Sequence, residues 1–147
     1  MVKEILIDLF ERDLLKLKEE INLYSNESKL WLLTDGISNS AGNLCLHLTG
    51  NLHYFIGTIL GKNGYVRDRD AEFSSKNIPR TELLKSIDDA ILVVTSTLSS
   101  LNDADFELNF PIKKHDEIVK TDYMLLHLFG HLSYHLGQIN YHRRMII

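Results

Sequence analysis

A single cysteine, Cys45, in 147 residues excludes an intramolecular disulfide and any cysteine-rich zinc site. No lysine- or arginine-rich run is present, and the formal net charge is −4. A dedicated polyanion binder needs a basic patch to neutralise phosphates, so a nucleic-acid partner is not expected. No uninterrupted apolar run approaches the ~18 residues of a membrane span. The opening MVKEILIDLFERD interrupts its apolar residues with acids, unlike a secretory signal, so a cytoplasmic protein is expected. Internal repeats and low-complexity segments are also missing. What remains is 44% apolar and 24% charged, ordinary for one globular domain with a real core.

Four segments have helical periodicity. Residues 3–24 place Ile5, Leu6, Leu9, Leu14, Leu17 and Ile21 at helical spacings between charged residues. Tyr24 to Ser28 is a polar break, and Asp35-Gly36 marks a turn. A second helix is expected from about Ala41 to Gly61, capped by Ser38 or Ser40, with Leu44, Leu48, Leu52, Phe55, Ile59 and Leu60 inward. Gly50 and Gly57 each cost about 1 kcal/mol inside a helix, which points to close packing against a neighbour. Residues 65–80, YVRDRDAEFSSKNIPR, read as a long charged connection. Arg67, Asp68, Arg69 and Asp70 there suit a solvated, ion-paired loop, with a cover over the mouth of a bundle as the sharper alternative.

A third helix follows Pro79, with Thr81 as expected N-cap and Leu84, Ile87, Ile91, Val94 and Leu98 on its buried side. Residues 101–120 alternate at Phe106, Leu108 and Phe110, as a small hairpin or an extended stretch would. Thr121-Asp122 is the expected cap of a fourth helix reaching almost to Ile147. The natural arrangement is all-α: a four-helix bundle with a long connection between its second and third helices.

The fourth helix contains HLFGHLSYHLGQINYHRR, residues 127–144, with His127, His131, His135 and His142. Relative to His127, the others fall at roughly 40°, 80° and 60° on a helical wheel, with Gln138 at roughly 20°. Such an arc must face a partner charge or a metal. Histidines at i and i+4 can share one ion, either as His127 with His131 or as His131 with His135. A third ligand must come from another helix, and His47 is the best placed, in the middle of a largely apolar segment. The blander alternative leaves these imidazoles hydrogen-bonded in the core or at the surface. Three neutral histidines and a water would suit a Lewis acid.

HLSYHLGQI, residues 131–139, resembles the HxxxHxGQI segment on the last helix of the DinB-like superfamily. NLCLHLTGNLHYFIG, residues 43–57, resembles that family's second-helix segment with its one histidine. YVRDRDAEF, residues 65–73, is similar to a loop in one uncharacterised branch of it. The resemblance covers most of the chain and implies a four-helix bundle, commonly a homodimer, with His47, His131 and His135 holding a divalent metal, often zinc or nickel. It also implies a thiol S-transferase or isomerase using a low-molecular-weight thiol such as bacillithiol or mycothiol. An iron-using sulfoxide-synthase branch has an acidic residue two positions after the second histidine. This chain has Gly137 there, which argues against that activity.

Around these ligands, His127 and Gln138 are expected as supporting or cavity-lining groups. His53 lies off the His47 face, His115 reads as a surface residue, and His142 suits the dipole at its helix end. Cys45, about 200° round the helix from His47, should point away from the metal. No residue presents itself as general base. Three functions are open: a metal-dependent thiol transferase, a non-catalytic dimeric helical module with a structural or pH-sensitive three-histidine site, or a bundle that binds a small ligand without turning it over.

Overall fold

The computed structural model describes residues 2–146. It is all-helical, with five α-helices and no strand among the described residues. The long helix α1, Val2–Leu23, buries Leu6, Phe10, Leu14, Leu17 and Ile21. Their spacings of three and four make one apolar stripe. Ile5, expected on that stripe, is exposed instead, and Phe10 takes the inward position. A 3-10 turn over Glu27–Trp31 then carries the chain to α2, Ala41–Leu52.

Ser40, not Ser38, caps α2 by accepting from the Asn43 N–H. The continuous second helix expected from the periodicity is not formed. From His53 to Leu60 the backbone widens into a π-helical segment, with Gly61 N–H donating to Ile56 O. The residues HYFIGTIL are apolar on almost every side, so their pattern does not distinguish an i→i+4 from an i→i+5 ladder. Ile56 is buried as a result, whereas Phe55, Ile59 and Leu60 are only half-buried. Gly57 lies where a Cβ would come within 2.7 Å of Asn63 Nδ2, which is the close packing its position implied.

The charged connection contains a helix of its own, α3, Arg69–Ser74, capped by the Asp68 carboxylate on the Ala71 N–H. Local capping and an Arg67–Glu72 ion pair order a stretch whose charge alone suggested a loop. The next helix, α4, Arg80–Ser100, starts one residue before Thr81, which is therefore not its cap. Pro79 is the N-cap residue, without a side-chain cap bond, and the Arg80 N–H is met by Glu27 Oε2 at 2.7 Å. Its buried stripe is Leu83, Ile87, Ala90, Val94 and Leu98, with Leu84 and Ile91 only half-buried.

Residues 103–107 form a 3-10 turn. Beyond it the chain doubles back, joined by Asn109–Lys120 and Lys114–Glu117 bridges. Phe106 and Phe110 are buried but Leu108 is exposed, so the alternating trio does not share a face. The last helix, α5, Thr121–Met145, has Lys120 as N-cap residue without a side-chain cap bond. Thr121 instead donates its hydroxyl to Leu108 O, and Asp122 Oδ1 accepts from the Tyr123 N–H. Ile147, toward which that helix was expected to run, lies outside the described residues.

Each long helix has two long neighbours: α1 packs on α4 and α5, and α2 packs on the same two. The apolar stripes meet in one core that includes Leu48, Leu52, Leu125, Leu128 and Leu132. No helix of the described residues is long and apolar enough to cross a membrane. Short α3 packs against α2 on the flank where His47 sits. That placement shapes the site.

Candidate metal centre

His47 comes from the middle of α2, and His131 and His135 from successive turns of α5, which packs against it. One ring nitrogen from each lies within 4.8 Å of the other two. His47 Nε2 and His131 Nε2 are 3.0 Å apart. Nitrogens at about 2.0–2.1 Å from a tetrahedral zinc would stand about 3.3 Å apart, so the spacing suits one ion after small ring adjustments. His127 is not a member of the cluster; it is exposed and lines the neighbouring cavity.

Two of the three outer nitrogens are tied down. His47 Nδ1 lies 3.0 Å from Glu72 Oε1, and Arg67 grips the same carboxylate with two hydrogen bonds of 2.9 Å. Burial raises the Glu72 pKa, but the hydrogen bonds from His47 and Arg67 outweigh it and hold the carboxyl below its usual range. An ionised Glu72 can only accept, so His47 carries its proton on Nδ1 and keeps a lone pair on Nε2. His135 Nδ1 likewise donates to Gln138 Oε1 at 2.6 Å, leaving its Nε2 for the cluster. Partners of this kind fix tautomer and ring orientation in metal-bound histidines.

His131 completes the set. Its Nδ1 is buried without a hydrogen-bond partner. Burial, together with His135, His47, His127 and Arg67, lowers its pKa to about 3, and burial lowers that of His135 as well. Protonation is thus a poor way to relieve three nitrogens that face one another. A divalent cation relieves it directly, and the residues present fit one: three imidazoles, with no thiolate and no carboxylate in the cluster.

Glu72 is the residue that reading the sequence missed. It stands in the charged stretch whose other acids, Asp68 and Asp70, are exposed, and only its neighbour Phe73 hinted at an inward side. Asn43 holds the helix bearing it, donating from Nδ2 to Glu72 O and Ser75 O at 2.9 and 2.8 Å. Gly50 explains itself here as well: a Cβ there would collide with Glu72 Oε2 and stand 2.7 Å from Cδ. The glycine admits the carboxylate.

Other expected residues fall elsewhere. His142 does more than face a helix dipole. It is buried, with Nε2 2.8 Å from Leu32 O and Nδ1 2.6 Å from the Tyr24 hydroxyl. Since a carbonyl only accepts, His142 carries its proton on Nε2 and accepts from Tyr24 on Nδ1. His53 is half-buried and stacks on Tyr65 at 5.1 Å. Cys45 is wholly buried outside the cluster, and burial pushes its thiol up to about 12, so it is no nucleophile.

Cavities open on both sides of the three histidines. One of about 360 Å3 is lined by His47 and His131, and one of about 450 Å3 by His135, Gln138, Tyr134 and Tyr141. No curated protein matches the chain. The family model described as "Protein of unknown function (DUF1572)" matches residues 5–147, and the chain belongs to that family.

Proposed function

We infer that this protein is a divalent-metal-binding four-helix bundle of the DinB-like type, acting as a thiol S-transferase or a related enzyme on a low-molecular-weight thiol such as bacillithiol. One observation carries the reading. Three imidazoles converge, those of His47 and His135 with their outer nitrogens on Glu72 and Gln138, while cavities on both sides leave coordination positions open. A structural site would be closed by a fourth protein ligand. The nearest extra histidine, His127, stands outside the cluster and lines a cavity, which favours the catalytic reading over a structural or pH-sensitive module.

His47, His131 and His135 would hold the ion; an all-nitrogen set accepts several divalent metals, of which the family resemblance implies zinc or nickel. When bound, it supplies Lewis acidity that favours the thiolate form of a thiol substrate. Glu72 and Gln138 keep the rings aimed, and Arg67 keeps Glu72 ionised. Met124, Leu128 and Phe55 give the cavity beside His47 an apolar wall that limits water. In the transfer, sulfur bonds to an electrophilic carbon, the leaving group departs with its bonding pair, and the thiol proton passes to solvent. A cytoplasmic homodimer accords with this reading.

Elemental analysis of protein purified without chelators is expected to give one divalent ion per chain. Turnover should then appear in a screen of thiols against alkyl and epoxide electrophiles. A metal-free protein with full affinity for neither zinc nor nickel would end the proposal.

A further inference from the structure

The cavity beside His47 and His131 has an unusual balance of charge for a protein of net charge −4. Arg67, Arg69, Lys113 and Lys114 line it together with His115 and His127, and no carboxylate does. Arg67 is neutralised by Glu72. Arg69 lies over the Phe73 ring, at 5.2 Å from its centroid, and enters no ion pair among the described residues. Neither do Lys113 and Lys114. Three cations without an ion-pair partner among the described residues therefore line one side of this cavity.

Two further features point to a ligand. Asn51, one helical turn beyond His47, is 7% exposed and lines the cavity, yet its Oδ1 is buried with no hydrogen-bond partner. Buried amide oxygens are rarely left so, and a ligand N–H or O–H would satisfy it. The lysines, moreover, are presented by a tight reversal. Lys114 and Glu117 exchange both backbone hydrogen bonds, at 2.8 and 2.9 Å, across His115 and Asp116, whose φ angles are 45° and 64°. Positive φ at both central residues is the geometry that a two-residue hairpin turn requires. Buried Phe110 anchors the arm against Phe55, which also lines the cavity.

We propose that this cavity binds the non-reacting end of a small anionic substrate, one bearing carboxylate or phosphate groups, through Arg69, Lys113 and Lys114, with Asn51 accepting from a ligand donor. This rests on the metal-site reading, since it places the ligand's other end at the three histidines. About 360 Å3 is within the range of small-molecule pockets.

The test has two arms, both on the full chain. In the first, metal-free protein is titrated with succinate, with inorganic pyrophosphate and with neutral succinamide, followed by amide chemical shifts. Saturable shifts at Asn51, Arg69 and residues 113–115 are expected with at least one anion and not with succinamide. The paired substitution Lys113→Gln and Lys114→Gln, at one exposed and one half-buried position outside the apolar core, should weaken binding about ten-fold or more. In the second, the cobalt-loaded protein is titrated with mercaptosuccinate and 2-mercaptoethanol, followed by the sulfur-to-cobalt absorption band. The dianionic thiol should bind about ten-fold more tightly in the wild type, with that preference lost in the paired variant. Succinate and pyrophosphate both failing to shift these residues, or a preference that survives the lysine substitutions, overturns the anion site. Cobalt failing to bind while an anion still shifts the cavity overturns the metal reading alone.

Discussion

His135 and His142 lie two turns apart on one face of α5, yet they do opposite work. His142 meets the chain between α1 and α2, where Tyr24 and Leu32 satisfy both ring nitrogens. His131 and His135 meet α2 itself, where the facing group is another imidazole. One end of the histidine stripe is a closed hydrogen-bonded lock and the other a set of converging ring nitrogens. A histidine's role in a helical core is thus decided by whether its second nitrogen finds a protein partner.

The contrast predicts separable losses. His47→Ala and His131→Ala should each abolish stoichiometric metal binding, checked by elemental analysis after dialysis against zinc or nickel, while the metal-free variant keeps its helical circular dichroism. His142→Ala should do the reverse. It strands the Tyr24 hydroxyl and Leu32 O and leaves a cavity, at about 2–3 kcal/mol of stability in urea unfolding, with metal affinity unchanged. Metal loss from that variant under native conditions would mean that the two ends of the stripe are coupled.

Smaller effects sharpen the comparison. Glu72→Gln should lower metal affinity by about 10–100-fold without removing a ligand. Gly50→Ala should act the same way by displacing Glu72, and competition with a chromogenic chelator would read both. At the lock end, burial raises the pKa of Glu20, but hydrogen bonds from Arg143 and Asn140, together with the Arg143 charge, bring it below its usual 4.5. A carboxyl with a lowered folded-state pKa contributes stability above 4.5 and loses it as pH falls further. Glu20→Gln should therefore flatten the acid limb of the stability profile below that value and leave the neutral region's slope unchanged.

Much of this was legible beforehand because it is periodic. Most of the α1 stripe, Ile87, Val94 and Leu98 of the α4 stripe, and the spacing of His131 and His135 follow from residues repeating every three to four positions. Glu72 was not legible. Its partners Arg67, His47 and Gly50 are five, twenty-five and twenty-two positions away, and only packing α3 on α2 brings them together. The π-helical segment escaped for a different reason, since a stretch apolar on all sides gives no phase to read.

The sequence by itself determined that the chain is helical, that α5 carries its imidazoles on one face, and that His47 stands alone in an apolar segment of another helix. Those are local properties of residue type and spacing. Only the tertiary structure decided which imidazoles converge: α2 brings His47 to His131 and His135, and Tyr24 with Leu32 closes His142. A histidine's tautomer depends on what lies beyond its outer nitrogen, and that neighbour is distant in the chain.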